Sequence, residues 1–168
     1  MSEPIVNKVA ESALVTIDLE ELLPLEQPVI FDLKDYLFMG LILKEKDFRE
    51  ALKNTDWEQY RQKTVLIVCS ADAVIPVWAY MLLASYLAPQ TTQLFMETPE
   101  QWRQRELLAA INRLNSEEYA GKRIVVKGCG DEPIPAEAYF EITRKLQPVA
   151  KSIMYGEPCS TVPVFKHK

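Results

Sequence analysis

Apolar runs rich in β-branched residues alternate with amphipathic stretches over most of the chain. Such runs are typical of strands that are buried on both faces of a sheet. The predicted strands are residues 13–18, 28–32, 64–69, 93–96, 123–127 and 152–155. The predicted helices are residues 46–54, 77–87, a segment that begins at residue 99, and 135–146. This alternation predicts an α/β fold with right-handed crossovers, in which a mostly parallel sheet has helices on both faces.

Two of the predicted helices carry additional local signals. Thr98-Pro99-Glu100-Gln101 has the composition of a capping box with proline at the first helical position. Residues 77–87 (VWAYMLLASYL) are apolar nearly all round the helix. A helix of that kind is expected to lie deep in a protein core.

The chain length and composition predict one domain. A chain of 168 residues, 48% of them hydrophobic, has enough apolar material for one sizeable core. We divide this single α/β domain into an irregular N-terminal part (residues 1–55), βα units (56–155) and an irregular tail (156–168).

The sequence also resembles itself at an offset of 59 residues. Tyr60 aligns with Tyr119 and Pro76 with Pro135, and nine of thirty ungapped positions match. The offset favours an internal duplication of a strand–loop–helix unit, although two buried βα units with proline-started helices can also converge by composition. Under either interpretation, the loops at 69–74 and 128–133 occupy equivalent places.

The charge balance limits the classes of partner. The net charge is −5, because 24 acidic residues outnumber 19 basic ones, and this argues against a nucleic-acid partner. The first residues contain neither a basic leader nor an apolar run. The longest apolar stretch, residues 73–88, is shorter than the ~20 residues that a spanning helix needs. We therefore expect a cytoplasmic protein that does not enter a membrane.

The three cysteines each follow a predicted strand. Cys69, Cys129 and Cys159 are expected to be free or metal-bound in a reducing compartment. Since ligands bind at the carboxyl ends of parallel strands, we predict one three-thiolate site for zinc or an iron–sulfur cluster. A fourth ligand is expected from Asp72, Asp131, Glu157 or His167, and the first three of these are also candidates for a group that transfers protons. The loop residues around the cysteines are Ser70, Gly128, Gly130 and Ser160.

Other interpretations of these residues remain open. Each thiol is also suited to packing as a small hydrophobe, which would make the protein a non-catalytic interaction domain. A metal-free thiol enzyme would instead use Cys129 or Cys159 as its thiolate, with Asp72 or Asp131 handling protons. The Gly128-Cys129-Gly130 segment before a helix also suits an anion, but it matches neither the P-loop nor the dinucleotide pattern. The sequence leaves the oligomeric state open.

Three segments resemble a known family. They are FDLKDYLFMGLILKEKDFRE at residues 31–50, CSADAVIPVWAYMLLA at 69–84 and KSIMYGEPCSTVP at 151–163. Together they resemble the bacterial domain-of-unknown-function family 2480 over nearly the whole chain. The family has no established activity, so the resemblance assigns no catalytic residue. Because genes of this family often lie beside iron–sulfur assembly genes, the resemblance implies iron rather than zinc, and cluster-assembly proteins as partners.

Overall fold

A computed structural model describes residues 14–128, 130–157 and 159–168 of the chain. In this part, the strands are β1 (Leu14–Asp18), β2 (Val29–Asp32), β3 (Val65–Val68), β4 (Leu94–Phe95), β5 (Arg123–Lys127), β6 (Ser152–Glu157) and β7 (Ser160–Lys166). The α-helices are α1 (Glu45–Lys53), α2 (Val77–Leu87), α3 (Pro99–Arg113) and α4 (Ala136–Leu146). The chain forms two compact units: unit 1 is Met1–Pro24 with Arg103–Lys168, and unit 2 is Leu25–Trp102.

Unit 1 contains a four-stranded sheet with the order β1-β5-β6-β7. The pairs β1–β5 and β5–β6 are parallel, whereas β6 and β7 form an antiparallel hairpin. The inward side chains of β1, β5 and β6 form one core with residues of α3 and α4. Its members include Ile17, Leu107, Ile111, Ile124, Val126, Ile142, Leu146 and Ile153.

Unit 2 contains a three-stranded parallel sheet with the order β2-β3-β4. Its core combines strand residues with the buried faces of α1 and α2. The members include Phe31, Leu33, Phe48, Leu52, Val65, Ile67, Ala79, Leu83 and Leu87. The sheet ends with β4, which pairs over only two residues with β3.

The predicted α/β class and the mostly parallel pairing are confirmed. The strands belong to two sheets, however, and not to the one sheet that the alternation predicts. The reason is that β1 pairs with the distant β5, while β2 pairs with β3. The alternation of strands and helices along the chain does not determine which strand pairs with β1 or with β2. The location of helices on both faces of a sheet, and the internal duplication, remain predictions.

The repeat offset does agree with the element boundaries. Helices α2 and α4 have the same length and differ by the offset of 59 residues. The 3-10 turns Trp57–Tyr60 and Ser116–Tyr119 differ by the same offset, and each is capped by the Asx residue before it. Each unit therefore contains the same local series of 3-10 turn, strand, loop and helix.

The C-terminal end of the chain contains more regular structure than the sequence pattern predicts. The tail from residue 156 is predicted to be irregular, but it holds the end of β6 and the whole of β7. Pro163 obscures this strand in the sequence, since proline is excluded from central strands. It is tolerated here because β7 is the edge strand of its sheet. Before position 56, by contrast, β1, β2 and α1 agree with the predicted strands at residues 13–18 and 28–32 and with the predicted helix at 46–54.

Helix α2 does not lie as deep as its apolar sequence predicts. Ala79, Leu83 and Leu87 are fully buried, but Val77 is 75% exposed and Met81 is 70% exposed. The helix rests on its sheet with one face only, so the opposite face stays in contact with solvent. The predicted capping box of α3 is confirmed, because the Thr98 N–H and the Gln101 N–H each donate to the other residue's side chain.

The described residues include no helix that is both long enough and apolar enough to cross a membrane.

Candidate functional site

The carboxyl ends of three parallel strands of unit 1 carry a row of charged side chains. Asp18 ends β1, Lys127 ends β5 and Glu157 ends β6. The Lys127 Nζ lies 3.4 Å from Asp18 Oδ2 and 3.8 Å from Glu157 Oε1. Because β1, β5 and β6 are parallel neighbours, the loops that follow them lie at one edge of the sheet, which is where an α/β protein binds its ligands.

The loop after β5 is held by a carboxylate of its own unit. The Glu132 N–H donates a 2.6 Å hydrogen bond to Glu20 Oε1. A Cβ atom on Gly130 would collide with the same carboxylate, so the loop backbone approaches Glu20 closely. Arg103 forms a 2.6 Å ion pair with Glu132. The glycine-containing loop that is predicted to suit an anion therefore contacts a carboxylate of the protein itself, that of Glu20.

Gly128 lies at a second position where a side chain closely approaches the loop backbone. A Cβ atom at this position would collide with the hydroxyl group of Tyr139, which reaches back from α4. The ring of Tyr139 also packs edge-on against Tyr155 of β6, with the ring centroids 5.5 Å apart. The glycine therefore serves packing between α4 and the end of β5.

The equivalent edge of unit 2 is organised around Asp32. This residue ends β2, and its carboxylate accepts hydrogen bonds from the Lys34 N–H at 3.0 Å, the Ser70 N–H at 3.0 Å and the Ser70 hydroxyl at 2.5 Å. Burial alone would raise the pKa of Asp32, but these hydrogen bonds and the Lys34 ammonium outweigh it, so that its pKa lies below the ordinary value. Asp32 therefore fastens the loop after β3 to the end of β2.

Cys69 has protein partners inside unit 2. It is half-buried, and its Sγ lies 3.6 Å from the carbonyl oxygen of Ala71. Burial, and then the neighbouring Cys69, raise the pKa of Tyr80. These surroundings are those of a thiol that packs between a strand end and a helix.

The predicted ligand set falls only partly within the described residues. Cys159 is exposed in the turn between β6 and β7 of unit 1, whereas Cys69 belongs to unit 2. Cys129 lies outside the described residues, so the common three-thiolate site remains a prediction. In the part of the chain that the structure describes, no three His, Cys, Asp or Glu side chains are grouped as a metal ion requires.

The other predicted residues lie at or near the two sheet edges. Asp72 and Asp131 are exposed in the loops after β3 and β5, and Ser160 pairs with Glu157 across the β6–β7 hairpin. His167 lies far from Cys159, and its role as a fourth ligand remains a prediction. Its ring packs on Phe165 at the opposite end of the hairpin, and β6 spans ~17 Å between those ends.

Comparison with protein families gives one result. Residues 3–167 match the model of a family described as "Protein of unknown function (DUF2480)". The chain belongs to this family. Searches of curated proteins and of solved structures found no match. The family match confirms the resemblance to this family seen in the sequence. Membership of DUF2480 assigns no activity to the two sheet edges described above.

Several residues that organise this DUF2480 protein were missed by the sequence analysis. They are Asp18, Glu20, Asp32 and Lys127. A signal for two of them is present, since β1 and β2 each end in an aspartate that a leucine follows. In both cases, the aspartate caps a 3-10 turn and the leucine is fully buried. The roles of Glu20 and Lys127 depend on distant partners and have no local signal.

Unit 1 also contains an apolar groove between α4 and the β6–β7 hairpin. Its volume is about 560 Å³. The lining is mostly apolar and is contributed by Val126, Tyr139, Phe140, Ile153, Met154, Tyr155 and Val164, together with Thr143, Arg144 and Gln147 of α4. A cavity of this size falls within the range of ligand and interface pockets in proteins.

The tie between Glu20 and the loop after β5 gives a testable prediction. Glu20→Ala should lower the free energy of unfolding by about 1 kcal/mol, because it removes a charge-assisted acceptor from the Glu132 amide. Amide hydrogen exchange at Glu132 should become faster, which NMR or mass spectrometry can measure. Glu21→Ala is the matched control, since Glu21 is exposed in the same turn. Equal exchange rates at Glu132 in both variants would contradict this role.

Proposed function

We propose that this protein binds a thiophilic metal ion or an iron–sulfur cluster at the carboxyl edge of the unit 1 sheet, and that Cys129 and Cys159 are the central ligands. The supporting observation is the adjacency of the ends of β5 and β6. Lys127 and Glu157 lie 3.8 Å apart there, and each is followed two residues later by a cysteine. Two thiols on neighbouring strand ends suit a metal that prefers sulfur.

The exposure of Cys159 favours a role in transfer or assembly over a purely structural site. Structural zinc sites have four protein ligands and are closed to solvent. Cys159 instead sits in an exposed hairpin turn, where a partner can reach it. This supports an accessory protein that receives or donates its metal, with cluster-assembly proteins as the proposed partners. Within unit 1, Glu157 and Asp131 are the candidates for an additional oxygen ligand.

Cys69 is the weakest of the three proposed ligands. Its sulfur already contacts the Ala71 carbonyl and is half-buried beside Tyr80. We therefore expect its replacement to affect packing in unit 2 more than metal binding. Cys69→Ser, measured together with the substitutions of Cys129 and Cys159 described below, tests this difference among the cysteines.

The decisive experiment is metal analysis of the full chain purified without oxygen. Wild-type protein should contain iron or zinc, measured by mass spectrometry, and a cluster would add visible absorption. Cys129→Ser and Cys159→Ser should each lower the metal content and the melting temperature of the loaded protein. In metal-stripped protein, the same changes should have little effect, because metal binding stabilises only the folded state. Ser160→Ala, beside Cys159, is the matched control.

The contrary results point to the two other interpretations. Absence of metal from the wild-type protein, or equal responses of loaded and stripped protein to both substitutions, would contradict the proposal. Rapid alkylation of one metal-free thiol would then favour a thiol-dependent enzyme. Slow alkylation of all three thiols would favour an interaction domain in which the cysteines pack.

A further inference from the structure

The groove of unit 1 forms where the sheet extends beyond the helix that covers it. Helix α4 covers β5 and β6 with Ala138, Ile142 and Leu146, which are all fully buried. The chain then passes from β6 to β7 through a hairpin and has no crossover helix to place beside α4. Among the residues that the structure describes, a strip of the sheet next to α4 consequently lacks the cover that α/β layers normally provide.

Large apolar side chains line this uncovered strip and remain in solvent. Tyr155 and Val162 are opposite each other on β6 and β7, so they point to the same face. They are 45% and 59% exposed, and Val164 is 54% exposed. Phe140 lines the groove from α4 and is 72% exposed. An exposed patch of several such residues marks an interaction surface.

The sequence of β7 disfavours association by strand addition. β7 is the edge strand of the sheet, and Pro163 lies within it. Proline lacks the N–H group that a neighbouring strand would need, and edge strands commonly use it to prevent pairing. A partner therefore meets this part of the protein on its face and not along its edge.

We propose that a second copy of this chain covers the groove, in a two-fold symmetric dimer in which the two α4 helices run antiparallel and each Phe140 enters the groove of the other copy. The surface is suited to its own copy because it carries both a protruding side chain and a cavity. In a two-fold interface, the same patch must supply both parts.

The charges on the outer face of α4 support the antiparallel arrangement. Glu137 lies three residues before Phe140, and Arg144 lies three residues after Glu141. If the two-fold axis passes between positions 140 and 141, Glu137 of each copy comes opposite Arg144 of the other. Arg144 is 63% exposed and pairs with Glu141 in its own chain. Glu137 forms no ion pair with the residues that the structure describes, so it is available to the second copy.

Sedimentation equilibrium of the full chain tests the dimer. The wild type should have twice the monomer mass of 19.3 kDa at micromolar concentration. Phe140→Asp should raise the dimer dissociation constant by roughly a hundredfold or more, because it removes the central aromatic anchor from both grooves. Met81→Asp is the matched control, since Met81 occupies the equivalent position of α2 and is 70% exposed. Circular dichroism should show that both variants remain folded.

A charge reversal tests the orientation of the helices. Glu137→Arg and Arg144→Glu should each weaken the dimer by roughly tenfold, because both place like charges opposite each other. The double variant should regain most of the lost affinity. A monomeric wild type, a dimer that persists in Phe140→Asp, a dimer lost in Met81→Asp, or a double variant without recovery would each overturn the proposal.

Discussion

Replacing Leu83 by alanine is expected to lower the free energy of unfolding by about 3 kcal/mol, the cost of opening a cavity in a well-packed core. Leu83 is fully buried in the core of unit 2, where α2 meets the sheet. Met81→Ala on the same helix should change the free energy by less than about 0.5 kcal/mol, because Met81 lies in solvent. Urea unfolding of both variants measures the difference.

This pair of variants tests the orientation of α2 directly. Both residues are large and unbranched at Cβ, so helix propensity contributes little to the comparison. Ile142→Ala extends the test to unit 1, since Ile142 occupies the equivalent position of α4 and is also fully buried. Similar losses for Leu83→Ala and Met81→Ala would show that α2 packs differently from this structure.

Replacing Asp32 by alanine is expected to lower the free energy of unfolding by about 2 kcal/mol. The change removes the acceptor of three hydrogen bonds, two of which come from Ser70. This loss of stability lies towards the lower end of the range for hydrogen bonds to charged acceptors, because solvent reaches the Asp32 carboxylate and its donors and screens their interaction. Asp35→Ala is the matched control, since Asp35 is exposed in the turn that Asp32 caps. Thermal and urea unfolding measure both variants.

The contribution of Asp32 should also depend on pH. Its pKa in the folded protein is lower than the ordinary value of 3.8, because hydrogen bonds to the carboxylate outweigh the effect of burial. A carboxyl group with a lowered pKa stabilises the folded state above its unfolded pKa. That contribution is lost as the pH falls through the folded value. The stability difference between wild type and Asp32→Asn should therefore be constant near neutral pH and shrink in acid. A difference that stays constant in acid would contradict the assignment.

The sequence by itself predicts individual helices, strands and caps of this protein. The span of α2 and that of β5 agree with the predicted ones, and the capping box of α3 forms as its composition indicates. These features depend on residues a few positions apart, through side-chain periodicity, β-branching and capping hydrogen bonds. The same local signals locate the ends of the strands, and the loops that follow them are therefore candidate sites from the sequence alone.

Tertiary structure decided which of these elements meet. The sequence of α2 is apolar all round, so only packing determines that Leu83 is buried and Met81 is exposed. Glu20 binds the amide of Glu132 across 112 positions of the chain, and Asp32 binds Ser70 across 38. Partners so far apart leave no periodic signal, because their contact depends on the order of strands in two separate sheets. For that physical reason, the sequence by itself determined the helices and strands and the position of the cysteines along the chain. The tertiary structure decided which charged groups surround the ends of the strands.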